Sequence, residues 1–276
     1  MAYRRHEAAR VEASNAMMGL LVGANMSAHM LRLNAGSKHM IEEIFPQVPH
    51  IVRFSMTPDV ACGILRDAES HLGGMAVPYA LAIHEDFLRT CLDLLLRAGR
   101  CTSRNTRRPG LKEIHARIEQ ATGQTFDATA IAQFQMMRCL RNAIVHANGR
   151  AGRELADEFL PRWSSDADRG WVRFAKRSPK NLREDDVVDL RHGELLMALI
   201  VTKNLARQAN RMLIDALPRQ MWADLLVEDE SASVGLDGNH IRRERKLRSL
   251  ARRHYEALAL TRAEIAEALD RMDGRE

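Results

Sequence analysis

Apolar residues recur every three to four positions along most of the chain, the spacing at which side chains share one face of an α-helix. The strongest such segment is residues 77–98, in which Leu81 and Leu88 share a face and Gly99 follows. Proline is accepted in the first helical turn, and glycine just beyond the last one. Pro78 therefore predicts where this helix begins, and Gly99 predicts where it ends.

The same spacing predicts seven further helices, which lie on both sides of this segment. They cover residues 7–33, 57–72, 111–123, 127–148, 193–217, 241–260 and 261–272. Two short segments favour an extended conformation: WVRFA at 171–175 and DDVVDL at 185–190. The segment EDESASVGLDGNH at 228–240 is rich in Ser, Gly, Asp and Asn, a composition that predicts a linker.

These elements predict an all-α protein. A helical bundle is expected over residues 75–218, preceded by an N-terminal helical extension over residues 1–74. A linker and Arg-rich helices are expected over residues 219–276. A chain of 276 residues is long enough to bury a substantial core.

Composition and charge restrict the class of protein without naming one. No apolar run reaches the ~18–20 residues that a membrane helix needs, so no membrane partner is expected. The cysteines form no C-x-x-C pair and no cluster with zinc spacing, which favours the reduced cytoplasm; they are Cys62, Cys91, Cys101 and Cys139. The net charge of +5 permits a nucleic-acid partner but does not require one.

The stretch RCLRNAIVHANGR, residues 138–150, places polar residues on the outer face of a predicted helix. At about 100° per residue, five residues fall within about 60° of Leu140 and predict a core stripe. They are Met136, Met137, Ala143, Ile144 and Ala147. Arg141, Asn142 and His146 fall on the opposite face, with Arg138 close by, and are expected to be open to solvent.

These side chains are suited to cutting a phosphodiester bond. Asn142 is four residues before His146, so its amide can orient the imidazole. His146 can take or give a proton near neutral pH, and Arg141 can hold the phosphate and stabilise developing charge. A neighbouring ribose 2′-hydroxyl would be the attacking group, which makes RNA the substrate. The ordinary alternative is a histidine that caps the helix beside a solvated arginine.

The stretch RNAIVHANG resembles the signature of the HEPN (higher eukaryotes and prokaryotes nucleotide-binding) superfamily. That signature has an Arg, a following polar residue and a His late in a long helix, matched here by Arg141, Asn142 and His146. The resemblance covers residues 75–218 and implies a helical bundle. It implies a metal-independent endoribonuclease of toxin–antitoxin or phage-defence systems, with no cofactor and no metal ion. Other members are catalytically silent binding modules.

The resemblance also implies a two-fold homodimer in which both Arg-His pairs meet. The helical geometry agrees, since one helix would place Arg141 and His146 about 140° apart, a shallow pair that a second copy would complete. Phe134 and Val145 are predicted on the same outward face and are candidate interface contacts. A flanking helix of the same chain is the alternative cover for these two residues.

Four further residues are assigned to the site or to RNA contact. Glu85 shares an apolar face and is predicted to orient Arg141 or His146, unless it reaches water at the edge of that face. Besides Arg138, three residues of the Arg-rich helix are predicted to contact RNA: Arg242, Arg245 and Lys246. A solvated charged face is the alternative for that helix. Asp86 and Arg89 are expected to form a surface pair.

The expected function is therefore that of a cytoplasmic, homodimeric endoribonuclease, a hydrolase of antiviral defence or a toxin. Its partners would be RNA and an antitoxin or another defence-system protein. The alternatives are a silent HEPN-like module that binds nucleotide, RNA or a protein, and a helical adaptor with a chance motif.

Overall fold

A computed structural model describes residues 2–102, 109–234 and 240–274, and these residues contain helices and no β-strand. The all-α class predicted from the sequence is confirmed. The α-helices of the described residues are α1 (Ala2–Arg32), α2 (Ile41–Ile44), α3 (Pro58–Arg66), α4 (Ala68–Arg97), α5 (Ile114–Thr122), α6 (Ala128–His146), α7 (Ser165–Ala175), α8 (His192–Ala216), α9 (Arg219–Val234), α10 (His240–His254) and α11 (Arg262–Asp273). None of these helices is long and apolar enough to span a membrane.

Helix α4 starts earlier than its proline predicted. It begins at Ala68, so Pro78 lies inside the helix and not in its first turn. A proline inside a helix forfeits a backbone hydrogen bond. Ala76 and Val77 beside it are almost completely buried, and this packing keeps the helix continuous. The predicted end is confirmed, because Gly99 follows the helix in the left-handed conformation at φ 68°.

The predicted extended segment WVRFA is wrong, since residues 171–175 form the second half of α7. The hydroxyl of Ser164 accepts a hydrogen bond from the Ala167 amide and starts this helix. Ala167, Trp171 and Ala175 then repeat every four residues, and all three are buried. A short segment with one large aromatic carries too little periodicity to separate a strand from a helix.

The predicted linker is also wrong over residues 228–234, which lie in α9. Residues 235–239 of that prediction lie outside the described residues. Buried Asp229 and Glu230 explain the error, because carboxylates that face the protein interior look like a solvated segment in the sequence. The DDVVDL segment is not extended throughout, because Asp185 lies in a turn at φ 65°. Val187 forms an isolated antiparallel bridge with Arg150.

The chain divides into two compact units that are not consecutive stretches. The first unit takes the described residues of 1–7, 84–126 and 205–276, and the second those of 8–83 and 127–204. The first unit draws on all three of the segments predicted from the sequence, 1–74, 75–218 and 219–276.

In the first unit, helices α9, α10 and α11 pack against one another in pairs. Leu226, Leu247 and Leu269, one from each helix, are fully buried. Ion pairs also join these helices, for example that of buried Arg243 with Asp273 at 2.7 Å. The basic face of α10 is therefore held on a packed scaffold.

In the second unit, α6 packs against α7 and against the π-turn at Glu154–Phe159. Phe134 and Trp171 are among its largest fully buried side chains. A smaller cluster near α1 and α3 contains Ala28, Leu31 and Cys62. Helix α6 therefore carries the RNAIVHANG motif on one of the best-packed elements of this unit.

Gly73 in α4 tests how tightly the second unit is packed. A Cβ atom built there would lie 1.9 Å from the backbone carbonyl oxygen of Leu190, so Gly73→Ala must push two backbone segments apart. We expect the variant to lower the free energy of unfolding by about 1–3 kcal/mol, measured by urea denaturation. Gly63→Ala in α3 is the control, because nothing lies within 4 Å of its Cβ and alanine favours helix. Equal effects of the two substitutions would contradict the close approach.

Candidate active site

Helix α6 places the motif by burying the stripe predicted from its sequence. The carboxylate of Asp127 accepts a hydrogen bond from the Ala130 amide at 2.7 Å and caps the first turn. Met136, Met137, Leu140 and Ala143 of the stripe are buried as predicted, and Ile144 is half-buried. Ala147 is exposed, contrary to the prediction, because the helix has already ended at His146.

The Asn-Gly pair after the motif reverses the chain. Asn148 and Gly149 both adopt the left-handed conformation, at φ 50° and 76°, which these two residue types tolerate best. The Gly149 amide donates to the carbonyl of Ala143 at 2.9 Å, and the carbonyl of Gly149 accepts from the Val188 amide at 2.8 Å. The turn that follows His146 is thus hydrogen-bonded to the segment that contains Val188.

Arg141 brings the three motif side chains together within one helix. Its Nη1 atom lies 3.2 Å from Oδ1 of Asn142 and 3.2 Å from Nε2 of His146. Arg141 and Asn142 are half-buried, whereas His146 is exposed. The predicted wide and shallow pair is wrong, because the long arginine side chain spans the rotation between positions 141 and 146.

The contact also decides how His146 is oriented. Arginine has only donors, so Nε2 of His146 accepts from Nη1 and the proton of a neutral ring lies on Nδ1. The predicted direct contact between Asn142 and His146 is replaced by the bridge through Arg141. Nε and Nη2 of Arg141 make no hydrogen bond within the described residues, and Nε is buried. The guanidinium therefore keeps donors that an incoming phosphate can use.

Arg138 does not lie on the open face where the helical projection placed it. It is buried, and its guanidinium lies 2.7 Å from the carboxylate of Glu154 and 2.7 Å from Oε1 of Gln135. A charge at this depth needs a partner, and the π-turn provides one. RNA binding by Arg138 stays a prediction, and its burial does not favour it.

The two candidate interface residues have different surroundings. Val145 is 47% exposed, which agrees with an outward apolar residue that a partner would cover. Phe134 is fully buried within the chain, so its assignment to an outward interface is wrong. Its position about 120° from Leu140 is covered by other parts of the chain, which one helix projection cannot show.

Glu85 belongs to the first unit and binds a neighbour on its own helix. Its Oε1 atom accepts from Arg89 at 3.1 Å, in the i,i+4 order that favours such pairs. Arg89 therefore pairs with Glu85. The pair of Asp86 and Arg89 that the sequence predicted does not form. A role for Glu85 in orienting Arg141 or His146 stays a prediction.

Helix α10 keeps two of its three predicted RNA contacts exposed. Arg242 and Arg245 are exposed and form no ion pair within the described residues, whereas Lys246 lies 3.8 Å from Glu230. A neighbouring cleft of about 460 Å³, which Arg252 and Arg262 help to line, left no recognisable pattern in the sequence. Arg262 belongs to α11, so no spacing along α10 could have revealed it.

A second group that the sequence did not reveal is buried in the first unit. Nε2 of His84 lies 3.1 Å from Nε2 of His115, and the ring of His6 lies 5.8 Å from that of His84. All three histidines are at least 96% buried. Burial holds the pKa of His84 well below its usual range and lowers that of His115 to about 3. These residues are far apart in the sequence, so no local spacing could have revealed the group.

The motif thus has Arg141 in contact with both Asn142 and His146 at the end of a well-packed helix, with the imidazole ring of His146 exposed to solvent. Comparison with protein-family models, with curated proteins and with solved structures finds no match. The site must therefore be interpreted from its own chemistry and from the resemblance of its short motif.

Proposed function

We propose that this chain is a metal-independent endoribonuclease of HEPN type that acts as a toxin or phage-defence effector. The observation that carries the proposal is the contact of Arg141 with both Asn142 and His146 at the exposed end of α6. A phosphate-binding group and a proton-transfer group lie 3.2 Å apart, which is the pairing that RNA cleavage needs. The match to the HEPN motif supports the same conclusion.

In the proposed reaction, the RNA phosphate first replaces His146 as the hydrogen-bond acceptor of the Arg141 guanidinium. A phosphate oxygen is a stronger acceptor than an imidazole nitrogen, so the Nη1 contact moves from His146 to the substrate. Nε2 of His146 is then free to take the proton of the 2′-hydroxyl. The 2′-oxygen attacks phosphorus, and the bond from phosphorus to the 5′-oxygen breaks. Arg141 stabilises the charge on the non-bridging oxygens.

The leaving 5′-oxygen needs a proton while the 2′-oxygen loses one. His146 of one chain cannot be base and acid at the same moment. A homodimer in which a second His146 faces the same phosphate would supply the acid. The products would be a 2′,3′-cyclic phosphate and a 5′-hydroxyl end. The need for a base and an acid at the same phosphate supports a site shared between two chains. The distance between Arg141 and His146 does not, because one chain already brings them into contact.

The exposed arginines of α10 support RNA as the partner. Arg242 and Arg245 can neutralise phosphates at positions away from the reacting one. Such contacts are independent of base sequence, so they add affinity and salt dependence and not a preference for one RNA. A toxin of this kind also needs restraint, which makes an antitoxin or another defence-system protein a proposed partner.

Purified protein incubated with a defined RNA in EDTA tests the function. We expect cleavage that leaves 2′,3′-cyclic phosphate ends, and no cleavage where the reacting ribose is replaced by 2′-deoxyribose. Cleavage at a 2′-deoxy position would contradict attack by the 2′-hydroxyl. Tight binding of RNA with no cleavage would instead support the silent binding module.

Glu85→Gln tests the predicted positioning carboxylate. We expect it to lower the cleavage rate and to change the Tm little, because a partly exposed ion pair contributes under about 1 kcal/mol. Arg89→Gln is the matched control, since it breaks the same pair and keeps the carboxylate. An unchanged cleavage rate in Glu85→Gln would show that Glu85 acts only as a surface acid.

A further inference from the structure

One face of α1 exposes an apolar stripe, an aligned row of apolar residues, which exposed Asn15 and His29 interrupt on the same face. Val11, Met18, Val22 and Met26 are 36–65% exposed, and Leu33, the first residue after the helix, is 73% exposed. The stripe spans 22 residues, or about 33 Å of helix. Apolar residues scattered singly on a surface need no explanation, but an aligned row of this length indicates a binding surface.

The opposite face of α1 is packed within the chain at its two ends, while Leu20 between them is exposed. Ala13, Ala28 and Leu31 are buried, and Ala28 and Leu31 join the cluster with Cys62 of α3. No charged residue occurs between positions 13 and 28. A helix that lies on a membrane surface usually carries Lys and Arg along its polar face, and this one does not. The stripe therefore suits a protein helix as its partner.

The spacing of the apolar residues along the stripe is the same whether it is taken from the N-terminal or the C-terminal end. Its members are separated by 7, 4, 4 and 7 residues, so Val22 is the centre, Met18 mirrors Met26, and Val11 mirrors Leu33. An antiparallel pair of identical helices related by a two-fold axis needs this symmetry, because the same patch must meet itself in reverse. A second copy of the chain therefore presents the complementary stripe.

Gly19 provides space for such a contact. It lies in the middle of α1, nothing is found within 4 Å of a Cβ built on it, and glycine is unfavourable in a helix interior. At about 100° per residue it lies about 60° from Val22, on the same side as Met26. An antiparallel two-fold at Val22 would set Met26 of the partner subunit over Gly19, where a larger side chain would be in the way.

We propose that two copies of this chain pair through α1, antiparallel, with the two-fold axis at Val22. The contact buries the apolar stripe of each copy against that of the other and fills the space at Gly19 with a methionine side chain. It goes beyond the proposed nuclease function, which it neither requires nor uses.

Site-specific disulfide formation tests the arrangement. A disulfide needs Cα atoms within about 7 Å, which only residues at the axis can offer to their own copies. We expect Val22→Cys to form a covalent dimer on mild oxidation. The wild type, with its native cysteines, and Leu20→Cys, 58% exposed on the opposite face, should not. Val11→Cys and Leu33→Cys should cross-link when mixed but not when oxidised separately.

The results separate the proposal from its alternatives. Cross-linking of Val11→Cys with itself would indicate a parallel pair and overturn the antiparallel axis. Equal cross-linking of Val22→Cys and Leu20→Cys would overturn the interface. By sedimentation, Val22→Glu and Gly19→Leu should lower the mass of the assembly while Leu20→Glu leaves it unchanged, with equal helicity in all three. A wild type that stays monomeric at every concentration would also overturn the proposal. A monomeric wild type would also contradict the shared site of the proposed nuclease, whereas the cross-linking results bear on the α1 contact alone and so separate the two proposals.

Discussion

His146→Ala and Arg141→Ala are each expected to lower RNA cleavage by at least about 10²-fold while the protein stays folded. Removing a general acid or base typically costs 10²–10⁴-fold, and removing a charge-stabilising donor costs a similar amount. His146 is exposed and Arg141 is half-buried at the surface of α6, whereas the core stripe of that helix lies on its other face. Neither substitution opens a cavity, so the Tm should change little.

The effect should be visible in cells as well as in solution. Expression of the wild type in a bacterial host is expected to slow growth and degrade RNA, and His146→Ala should restore both. His71→Ala is the matched control, since His71 is an exposed histidine of α4 outside the motif. Wild type, His146→Ala and His71→Ala with equal effects on growth and RNA integrity would contradict the nuclease proposal. Loss of effect in His71→Ala alone would point to expression level.

Mild acid is expected to destabilise the protein strongly through the buried pair of His84 and His115. Folding lowers the pKa of both rings, that of His115 to about 3, whereas an unfolded histidine titrates near 6.5. Below about pH 6.5 the unfolded chain therefore binds protons that the folded one does not, and stability falls as the pH falls. Each group costs up to about 1.4 kcal/mol per pH unit below its unfolded pKa, so the pair costs roughly 3 kcal/mol between pH 6.5 and pH 5.

Urea denaturation between pH 7.5 and pH 5 measures this loss. Carboxylates with lowered pKa contribute only at lower pH; Glu264, for example, is held at a pKa of about 2, chiefly by the Arg219 guanidinium. His115→Gln removes one titrating ring and should roughly halve the slope of unfolding free energy against pH, whatever its stability at pH 7.5. His71→Gln should leave the slope unchanged. A slope in His115→Gln equal to that of the wild type would show that the buried pair does not cause the acid sensitivity.

The helical periodicity predicted most of the fold because it reports which face of a segment is buried. It located α4, α6 and α8 and the buried stripe of α6 from Met136 to Ala143. The prediction failed where the local preference of a residue and its tertiary packing favour different conformations. Pro78 lies inside α4, Trp171 lies in a helix, and the acidic segment with buried Asp229 and Glu230 continues α9. In each case, tertiary contacts outweigh a local preference worth about 1–3 kcal/mol.

The sequence by itself determined the all-α class and the exposed position of His146. Those features follow from periodicity and from backbone preferences, which act within a few residues. Only the tertiary structure decided that Arg138 is buried against Glu154, that Phe134 belongs to the core, and that His84 meets His115. These depend on which helices become neighbours and on how far a long side chain reaches, and the periodicity of a single helix contains no information on either.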